Sequence, residues 1–397
     1  MRTGSRDLPS YFPSAPPDVI PFRDETVAAL CLAENAAGAL RQATPRVPDV
    51  DAFVTSLRMR EVLRSARQTR YTAMPTETWL AALWLSSPHT GGEDLEEVVR
   101  RRPVGRYVRA ADLLAAELAR GRHTGIEALN AVSAVLTGQP VGSVEEGLRQ
   151  VDDVLTAGAG GAPYVRVAPP GETLVRAVWE WDRWVARPYA GPRLAKIAVA
   201  YLLLVLQRPY PKANGYLAGL FVGNELVRHG VVDHPVLLPA PWLDDHAEEY
   251  RARVRAAVEG GPLWEWVEFF ARGVREQATS NLALIDALDD LRAELVERTD
   301  GSRSVRKVLA ALPTSPVTSI NALALRHGTS RKTSAQITRR LVADGVLRVV
   351  AEHPVKVFAC EEAMDLLVFD HAPPRTDRRA LDPVPDHDRT PRSAQEE

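Results

Sequence analysis

The most apolar run of the chain is ten residues long and extends from Ile197 to Leu206. A bilayer takes about 20 apolar residues to cross, so this run is too short to span a membrane. It predicts instead a buried helix from Arg193 to Leu206. A loop from Arg208 to Gly215 follows, and a second helix is predicted from about Tyr216 to Arg228. The chain is therefore expected to fold around two helices joined by this loop.

Composition sets broad bounds on the kind of protein. The 397 residues are enough for two or three domains, and 45% hydrophobic with 25% charged residues is typical of a soluble globular chain. A net charge of −2 predicts no general affinity for nucleic acid or membranes. The two cysteines, Cys31 and Cys360, have no metal-site spacing and form no disulfide framework. Without an apolar signal peptide at the N-terminus, the predicted location is the reducing cytoplasm.

The remaining sequence is mostly helical in pattern. Residues 1–24 predict an extended Pro-rich arm, and the polar residues 370–397 predict a disordered tail. Residues 157–170 predict a loop with a short strand at Tyr164–Val167, and residues 263–298 predict two long helices or one bent helix. Trp179 and Trp184 are expected on the apolar side of their helix. Further helices are predicted at Thr26–Ala43, Val50–Gln68, Glu77–Trp84, Leu95–Ala119, Thr124–Leu136 and Glu172–Ala186.

The C-terminal third carries three helical segments followed by a hairpin. The helices are predicted at Ser304–Leu312, from Thr318 to about Arg326, and from Ser330 to about Asp344. Thr318 and Ser330 are the expected N-caps, and Gly328 is expected in the turn. The side chains expected to face inward from the third helix are those of Ala335, Ile337, Leu341 and Val342. Two β-branched runs, Val346–Val350 and Val355–Phe358, predict the hairpin, and this order of elements is that of a winged helix.

Charge in this region favours DNA as a partner. Ten Lys or Arg and two acidic residues lie between Arg303 and Phe358, giving about +8, whereas the rest of the chain carries about −10. A recognition helix meets DNA with its N-terminal end. The alternative is that the module docks a protein or forms a dimer and that its basic side chains are only solvated. The predicted DNA-binding residues are Ser330, Arg331, Lys332, Arg339 and Arg340.

Four segments, in order, resemble the Fic family: Ala162–Asp182, Leu194–Gly219, Trp264–Ala278 and residues 302–368. The stretch Arg-Pro-Tyr-Pro-Lys-Ala-Asn-Gly-Tyr-Leu-Ala-Gly is similar to the family signature H-P-F-x-D/E-G-N-G-R-x-x-R and keeps Pro209 and Asn214-Gly215. The resemblance implies a mainly α fold, in which a Fic-type helical core with a small β-hairpin flap is followed by a winged helix-turn-helix domain. The implied boundaries are a helical N-terminal region at 25–120, a Fic-like domain at 121–298 and the winged helix at 302–369.

The side chains that do the family's chemistry are replaced. The resemblance places Arg208 at the position of the general-base histidine and Lys212 at that of the acid that binds Mg²⁺. It places Tyr216 and Gly219 at the positions of the two arginines, the first of which clamps phosphate. A guanidinium stays protonated and cannot accept a proton, and a lysine repels a metal ion. The resemblance therefore implies no catalytic residue, no metal site and no conventional adenylyl transfer.

Three interpretations of the loop stay open. Asn214 and Gly215 form either a helix-entry turn without a ligand or, with Arg208 and Lys212, a phosphate or nucleotide site made by backbone N–H groups. A different chemistry is the third interpretation. His229 is too far along the following helix to replace the base and is expected to cap its C-terminus.

The family also has an inhibitory motif, S/T-x-x-x-E-G/N, whose Glu pairs with the second arginine of the signature. Its best counterpart begins at Ser65, with Thr69 in place of Glu and Arg70 in place of Gly or Asn. Both the inhibitory carboxylate and its arginine partner are then absent, which is consistent with a chain that has no activity to inhibit.

The predicted function is that of a DNA-binding regulator or scaffold whose Fic-type core senses a phosphate ligand or nucleotide, or mediates assembly. The alternative is a protein adenylyltransferase that transfers AMP from ATP to a protein hydroxyl. The expected partners are DNA and, beyond it, a nucleotide or a protein target, with no membrane. ATP is the candidate cofactor, and Mg²⁺ is not expected.

Overall fold

The computed structural model describes residues 8–68, 103–140, 142–158, 160–299, 301–353 and 355–369, and they are mainly helical, as predicted. No described helix combines the length and the apolar character that a membrane span requires. The N-terminal helices and the small hairpin are α1 Asp24–Ala43, α2 Val50–Gln68, α3 Pro103–Ala119, α4 Ile126–Thr137, α5 Val144–Gly147, β1 Val154–Thr156 and β2 Pro163–Arg166. The central helices are α6 Glu172–Ala186, α7 Arg193–Gln207, α8 Asn214–Arg228, α9 Ala240–Asp245, α10 Ala247–Val258 and α11 Leu263–Arg298. The C-terminal elements are α12 Arg303–Ala311, β3 Val317–Thr318, α13 Ile320–His327, α14 Arg331–Ala343, β4 Arg348–Ala351, β5 Val357–Ala359 and α15 Glu361–Met364.

The predicted apolar helix, α7, lies at the centre of the molecule. Every residue from Leu194 to Leu202 is buried, because α7 packs against α1, α6, α8 and α11. Two buried indoles donate to its carbonyl oxygens, Trp181 Nε1 to Ala200 at 2.9 Å and Trp266 Nε1 to Ala198 at 2.7 Å. A helix that is apolar all round is a core helix, and the position of the loop that follows it is fixed accordingly.

Several details differ from the sequence-based expectations. On α6 the fully buried indoles are Trp181 and Trp184, and Trp179 is only half-buried because it donates to Glu145 near the surface. Helix α8 begins at Asn214, two residues before the predicted start. Residues 263–298, for which two long helices or one bent helix were predicted, form a single helix. The helices α9 and α10 were not predicted, and residues 77–84 and 95–102 lie outside the described residues.

The described part of the N-terminal arm contacts the core. Arg166 N–H donates to Pro9 and Tyr11 N–H donates to the Arg166 carbonyl, at 2.9 and 2.8 Å, so the arm lies parallel to β2. Trp184 Nε1 donates to Pro17 at 2.9 Å, and Ile20 is buried in the core. The hairpin β1–β2 therefore has the arm along one edge.

The C-terminal unit, residues 301–369, contains the predicted helices and hairpin with an added short strand. Its sheet has the order β3-β5-β4, with antiparallel pairs. The N-cap of α13 is Ser319, whose hydroxyl accepts from Ala322 N–H at 3.1 Å, because Thr318 is part of β3. On α14 the buried side chains are those of Ser334, Ile337, Thr338 and Leu341, whereas Val342 is exposed and Ala335 is half-buried. The buried face of α14 is therefore rotated about the helix axis from the predicted buried face.

Contacts with α2 and α11 attach the C-terminal unit to the rest of the molecule. Residues 365–369 pack on α2, and Arg326 lies 3.8 Å from the Asp49 carboxylate just before α2. Arg298 at the end of α11 pairs with Glu362 at 2.7 Å. Helix α1 packs along α11, so the predicted regions 25–120 and 121–298 are in direct contact. The predicted tail at 370–397 lies outside the described residues.

Candidate functional site

The signature loop, residues 208–215, begins with Arg208 in a left-handed conformation. Arg208 has φ 43° and ends α7, where its N–H donates to Leu204 at 2.9 Å. Its guanidinium Nε donates to the carboxylate of Asp153, which directly precedes β1. The side chain that the sequence resemblance places at the general-base position is thus a cation that contacts the residue before the hairpin.

Asn214 holds the other end of the loop together. Its Oδ1 accepts from Tyr210 N–H at 3.0 Å, and its Nδ2 donates to the Tyr210 carbonyl at 2.6 Å. The ring of Tyr210 is buried, and its hydroxyl reaches the Ile126 carbonyl at 3.4 Å. Because its amide is used inside the loop, Asn214 offers a ligand only the backbone at the start of α8.

The two remaining predicted anion-binding residues face solvent. Lys212 is exposed, and no acidic side chain of the described chain lies within ion-pair distance of it. Gly215 is also exposed, and a Cβ added there would meet no heavy atom within 4 Å. The structure therefore brings Arg208, Lys212, Asn214 and Gly215 into one loop, with Arg208 turned toward the hairpin and Lys212 outward.

Tyr216 and Gly219, which the sequence resemblance places at two arginine positions, have buried neighbours. Tyr216 is buried and stacks edge-on against Tyr107, with ring centroids 5.7 Å apart. Gly219 lies against the carboxyl group of Glu61 on α2, so that a Cβ at position 219 would stand 2.4 Å from Glu61 Oε1. Neither position offers a cation to a phosphate group.

Glu61 contacts this region, although the sequence analysis did not include it among the candidate site residues. It is fully buried, and its Oε2 accepts from Ala240 N–H at 2.9 Å at the start of α9. Burial raises the pKa of Glu61 to about 8, against the lowering effect of the Ala240 hydrogen bond, so the carboxyl is protonated at neutral pH. One signal was available: Glu61 lies one turn after Leu57 and therefore on the apolar face of α2.

The predicted counterpart of the inhibitory motif lies mostly outside the residues that the structure describes. Ser65 lies on α2, one turn after Glu61, but its side chain is not among those described, and Thr69 and Arg70 lie outside the described residues. The prediction for these three residues stays a prediction. The carboxyl group that faces Gly219 in the described structure is that of Glu61.

His229 is the C-cap residue of α8, as predicted, and belongs to a buried ionic cluster. Its N–H donates to the Glu225 carbonyl at 2.9 Å, and its Nε2 lies 3.6 Å from the Glu225 carboxylate. Burial would raise the pKa of Glu225, but hydrogen bonds from His229 and Arg228 hold the pKa at about 2. The cluster connects α8 to Thr124, whose N–H donates to the same carboxylate at 3.3 Å.

The predicted DNA-binding residues lie on one helix of the C-terminal unit. Ser330 caps α14, accepting from Thr333 N–H at 3.0 Å, and Arg331 and Lys332 are exposed in its first turn. Arg339 is exposed two turns later, and its Nε donates to the Ala335 carbonyl at 3.1 Å. Three cations of this unit are paired with acids, namely Arg340 with Asp344, Arg348 with Glu361 and Lys356 with Glu352, whereas Arg303, Arg306 and Lys307 on α12 are exposed without a described acidic partner. No described acidic side chain pairs with Arg331, Lys332 or Arg339.

Residues 208–215 include two cations and no acid, cysteine or histidine. Within the described ranges, no group of three or more His, Cys, Asp or Glu side chains could hold a metal ion. A guanidinium at position 208 cannot act as a general base. The signature loop presents backbone, one exposed lysine and an arginine paired with Asp153.

Comparison with known proteins identifies the fold. No protein-family model matches the sequence, and no curated protein matches it. Among solved structures, a Fic family protein from Desulfovibrio desulfuricans G20 aligns with a TM-score of 0.50 and 14% identity, covering 87% of this chain and 98% of that chain. Fic-1 from C. elegans aligns with a TM-score of 0.43 and 15% identity, covering 67% and 73% of the two chains. The first alignment, over nearly the whole length of both chains, shows that this mainly helical chain has the fold of Fic family proteins.

Proposed function

We propose that this chain is a DNA-binding regulator or scaffold of the cytoplasm, built on a Fic-type core without a conventional adenylyltransferase site. The C-terminal unit is proposed to be a winged helix-turn-helix domain that contacts DNA through α14. The observation that carries the proposal is the set of exposed cations on α14, Arg331, Lys332 and Arg339, which no described acid neutralises.

The physical reason lies in where these cations stand. Arg331 and Lys332 occupy the first turn of α14, where the free N–H groups of a helix also favour phosphate. In helix-turn-helix proteins this end of the recognition helix meets base edges and phosphates. Arg340, Arg348 and Lys356 pair with acids, whereas Arg303, Arg306 and Lys307 on α12 are exposed without a described acidic partner, so the positive surface of the unit includes α12 as well as α14.

Gel retardation on mixed-sequence duplex DNA tests the proposal. The purified protein is expected to bind with an affinity that falls steeply with salt, since each phosphate contact contributes about −0.9 to the slope of log K against log salt. The double variant Arg331→Ala/Lys332→Ala is expected to bind more weakly. Its slope of log K against log salt should be smaller in magnitude by about two units, because two phosphate contacts are removed. The matched control, Arg253→Ala/Arg255→Ala on α10, removes the same charge from ion-paired positions and should bind as the wild type does. Absent or salt-independent binding would refute the proposal and favour a protein-docking module.

Adenylyl transfer to a protein hydroxyl is the alternative function, and no contact described above favours it. Incubation with labelled ATP and Mg²⁺ distinguishes the two, with and without Arg208→His. We expect no labelling in either case, because Lys212, Tyr216 and Gly219 still lack the acid and the arginines of the family signature. Labelling by the wild-type protein would overturn the non-catalytic proposal.

A further inference from the structure

The signature loop contains unusual backbone strain. The described chain has two non-glycine residues with positive φ, Arg208 at 43° and Ala213 at 62°, and both lie in this loop. A left-handed conformation costs an L-residue roughly 1–2 kcal/mol, because its Cβ crowds the following carbonyl oxygen. Such a conformation persists only where surrounding contacts fix it. The hydrogen bonds between the Asn214 side chain and the Tyr210 backbone fix the loop next to Ala213. Other contacts must fix Arg208.

Arg149, between α5 and β1, lies directly beneath this end of the loop. It is 1% exposed, and its guanidinium donates to backbone carbonyls. The acceptors are the oxygens of Arg208 at 2.9 Å, Val151 at 2.8 Å, Gln207 at 3.2 Å and Ala168. Its own N–H donates to the Pro209 carbonyl at 2.9 Å. Arg149 therefore contacts the last residue of α7, the first two residues of the loop, and the residues Val151 and Ala168 on either side of the hairpin.

The chemistry of these contacts is selective for arginine. Gln207 and Arg208 end α7, where carbonyl groups lack partners within the helix and the helix dipole favours a cation. The planar guanidinium has five donors and can serve carbonyls that lie in several directions, which the single ammonium of a lysine reaches less well. No carboxylate takes part in these hydrogen bonds. The interaction is therefore between a buried cation and oriented backbone dipoles.

We infer that Arg149 is the positioning residue of the signature loop, which it fixes to the base of the hairpin. The inference rests on the proposed function in one respect, since it selects the scaffold over the phosphate sensor as the role of the Fic-type core. A loop already ordered by Arg149 and Asn214 has no conformational change to report when an anion arrives.

Amide hydrogen exchange tests the inference at two loop positions. The N–H groups of Arg208 and Tyr210 are bonded to Leu204 O and Asn214 Oδ1. In the wild-type protein without ligand we expect both to exchange slowly. Arg149→Met should accelerate them by about tenfold or more, and Arg149→Lys by less, while amides of the C-terminal unit keep their rates. Arg176→Met, which removes an exposed arginine of α6, is the matched control and should change neither amide.

Three results would overturn the inference. The first is fast exchange of these amides in the wild type that becomes slow only when ATP or inorganic phosphate is added. The second is an equal acceleration at all amides in Arg149→Lys, since that indicates a general loss of stability. The third is unchanged exchange in Arg149→Met. The wild-type measurement needs no variant to fold, and gel retardation of the same samples reports separately on DNA binding.

Discussion

The contact between Gly219 and Glu61 predicts opposite effects of the same substitution at two glycines of α8. Replacing a helical glycine by alanine stabilises a helix by up to about 1 kcal/mol where space allows. Gly215→Ala meets no atom within 4 Å and should raise the free energy of unfolding. At Gly219 the new methyl would stand 2.4 Å from Glu61 Oε1, so the carboxyl must turn away and lose its bond to Ala240 N–H. An unpaired buried N–H costs about 1–3 kcal/mol, so Gly219→Ala should destabilise the protein by roughly 1–2 kcal/mol net.

Urea unfolding of the two variants, and of both in a Glu61→Ala background, measures the effect. Glu61→Ala removes the clash, so in that background Gly219→Ala should become neutral or stabilising, as Gly215→Ala is. The coupling between positions 61 and 219 should be about 1–3 kcal/mol, and that between 61 and 215 close to zero. Equal stabilisation by both alanines in the wild-type background would show that Glu61 does not occupy the space beside Gly219.

Three further predictions follow from buried ionisable groups. The folded-state pKa of Glu61 is raised from 4.5 to about 8, so its contribution to stability is complete below pH 4.5 and is lost as pH rises through 8. Glu61→Gln should therefore flatten a plot of the urea midpoint against pH between pH 4.5 and 8. A plot unchanged by the substitution would contradict the raised pKa. Arg228→Met leaves the Glu225 carboxylate buried beside His229, so it should lower the free energy of unfolding by about 3 kcal/mol at pH 7, and by less as pH falls toward 2. Thermal or urea unfolding measures this change, and a loss under about 1 kcal/mol would argue against a buried pair. A thiol reagent at pH 7.5 should modify Cys31 but not Cys360, whose pKa burial raises to about 11, until denaturant is added; two reactive thiols in the native protein would contradict the burial of Cys360.

Periodicity in the sequence predicted the long elements well. The bounds of α2 and α6 agree with the predicted ones, since a sustained apolar stripe reports burial directly. The short helix α9 was missed because local pattern says little about a six-residue helix whose first N–H group donates to a distant side chain, that of Glu61. The twelve-residue α10 was also not predicted. The buried face of α14 was predicted wrongly because Val342, although apolar, faces solvent, whereas Ser334 and Thr338 are buried.

The site was predictable only where it depends on the identity of single residues. The predicted replacement of the signature histidine by Arg208 comes from the sequence, as does the cationic start of α14. The partners Asp153, Arg149 and Glu61 were not, because each lies far along the chain from the atoms it contacts. Their roles follow from tertiary packing, for which one sequence without repeats or paired motifs provides no direct signal.

The single helix α11 has a mechanical consequence for a protein of this kind. Its 36 residues extend about 54 Å, and it takes part in two hydrophobic cores, with residues as far as Leu288 in the first and Leu291 and Leu295, in its last turns, in the second. A continuous helix shared in this way behaves as a stiff strut, unlike the flexible tether that joins many DNA-binding modules to their partner domains. If the C-terminal unit is seated on a duplex, the core is held at a fixed distance and rotational setting relative to the DNA axis. The face that the core offers to other molecules is then determined by the helical phase of the binding site.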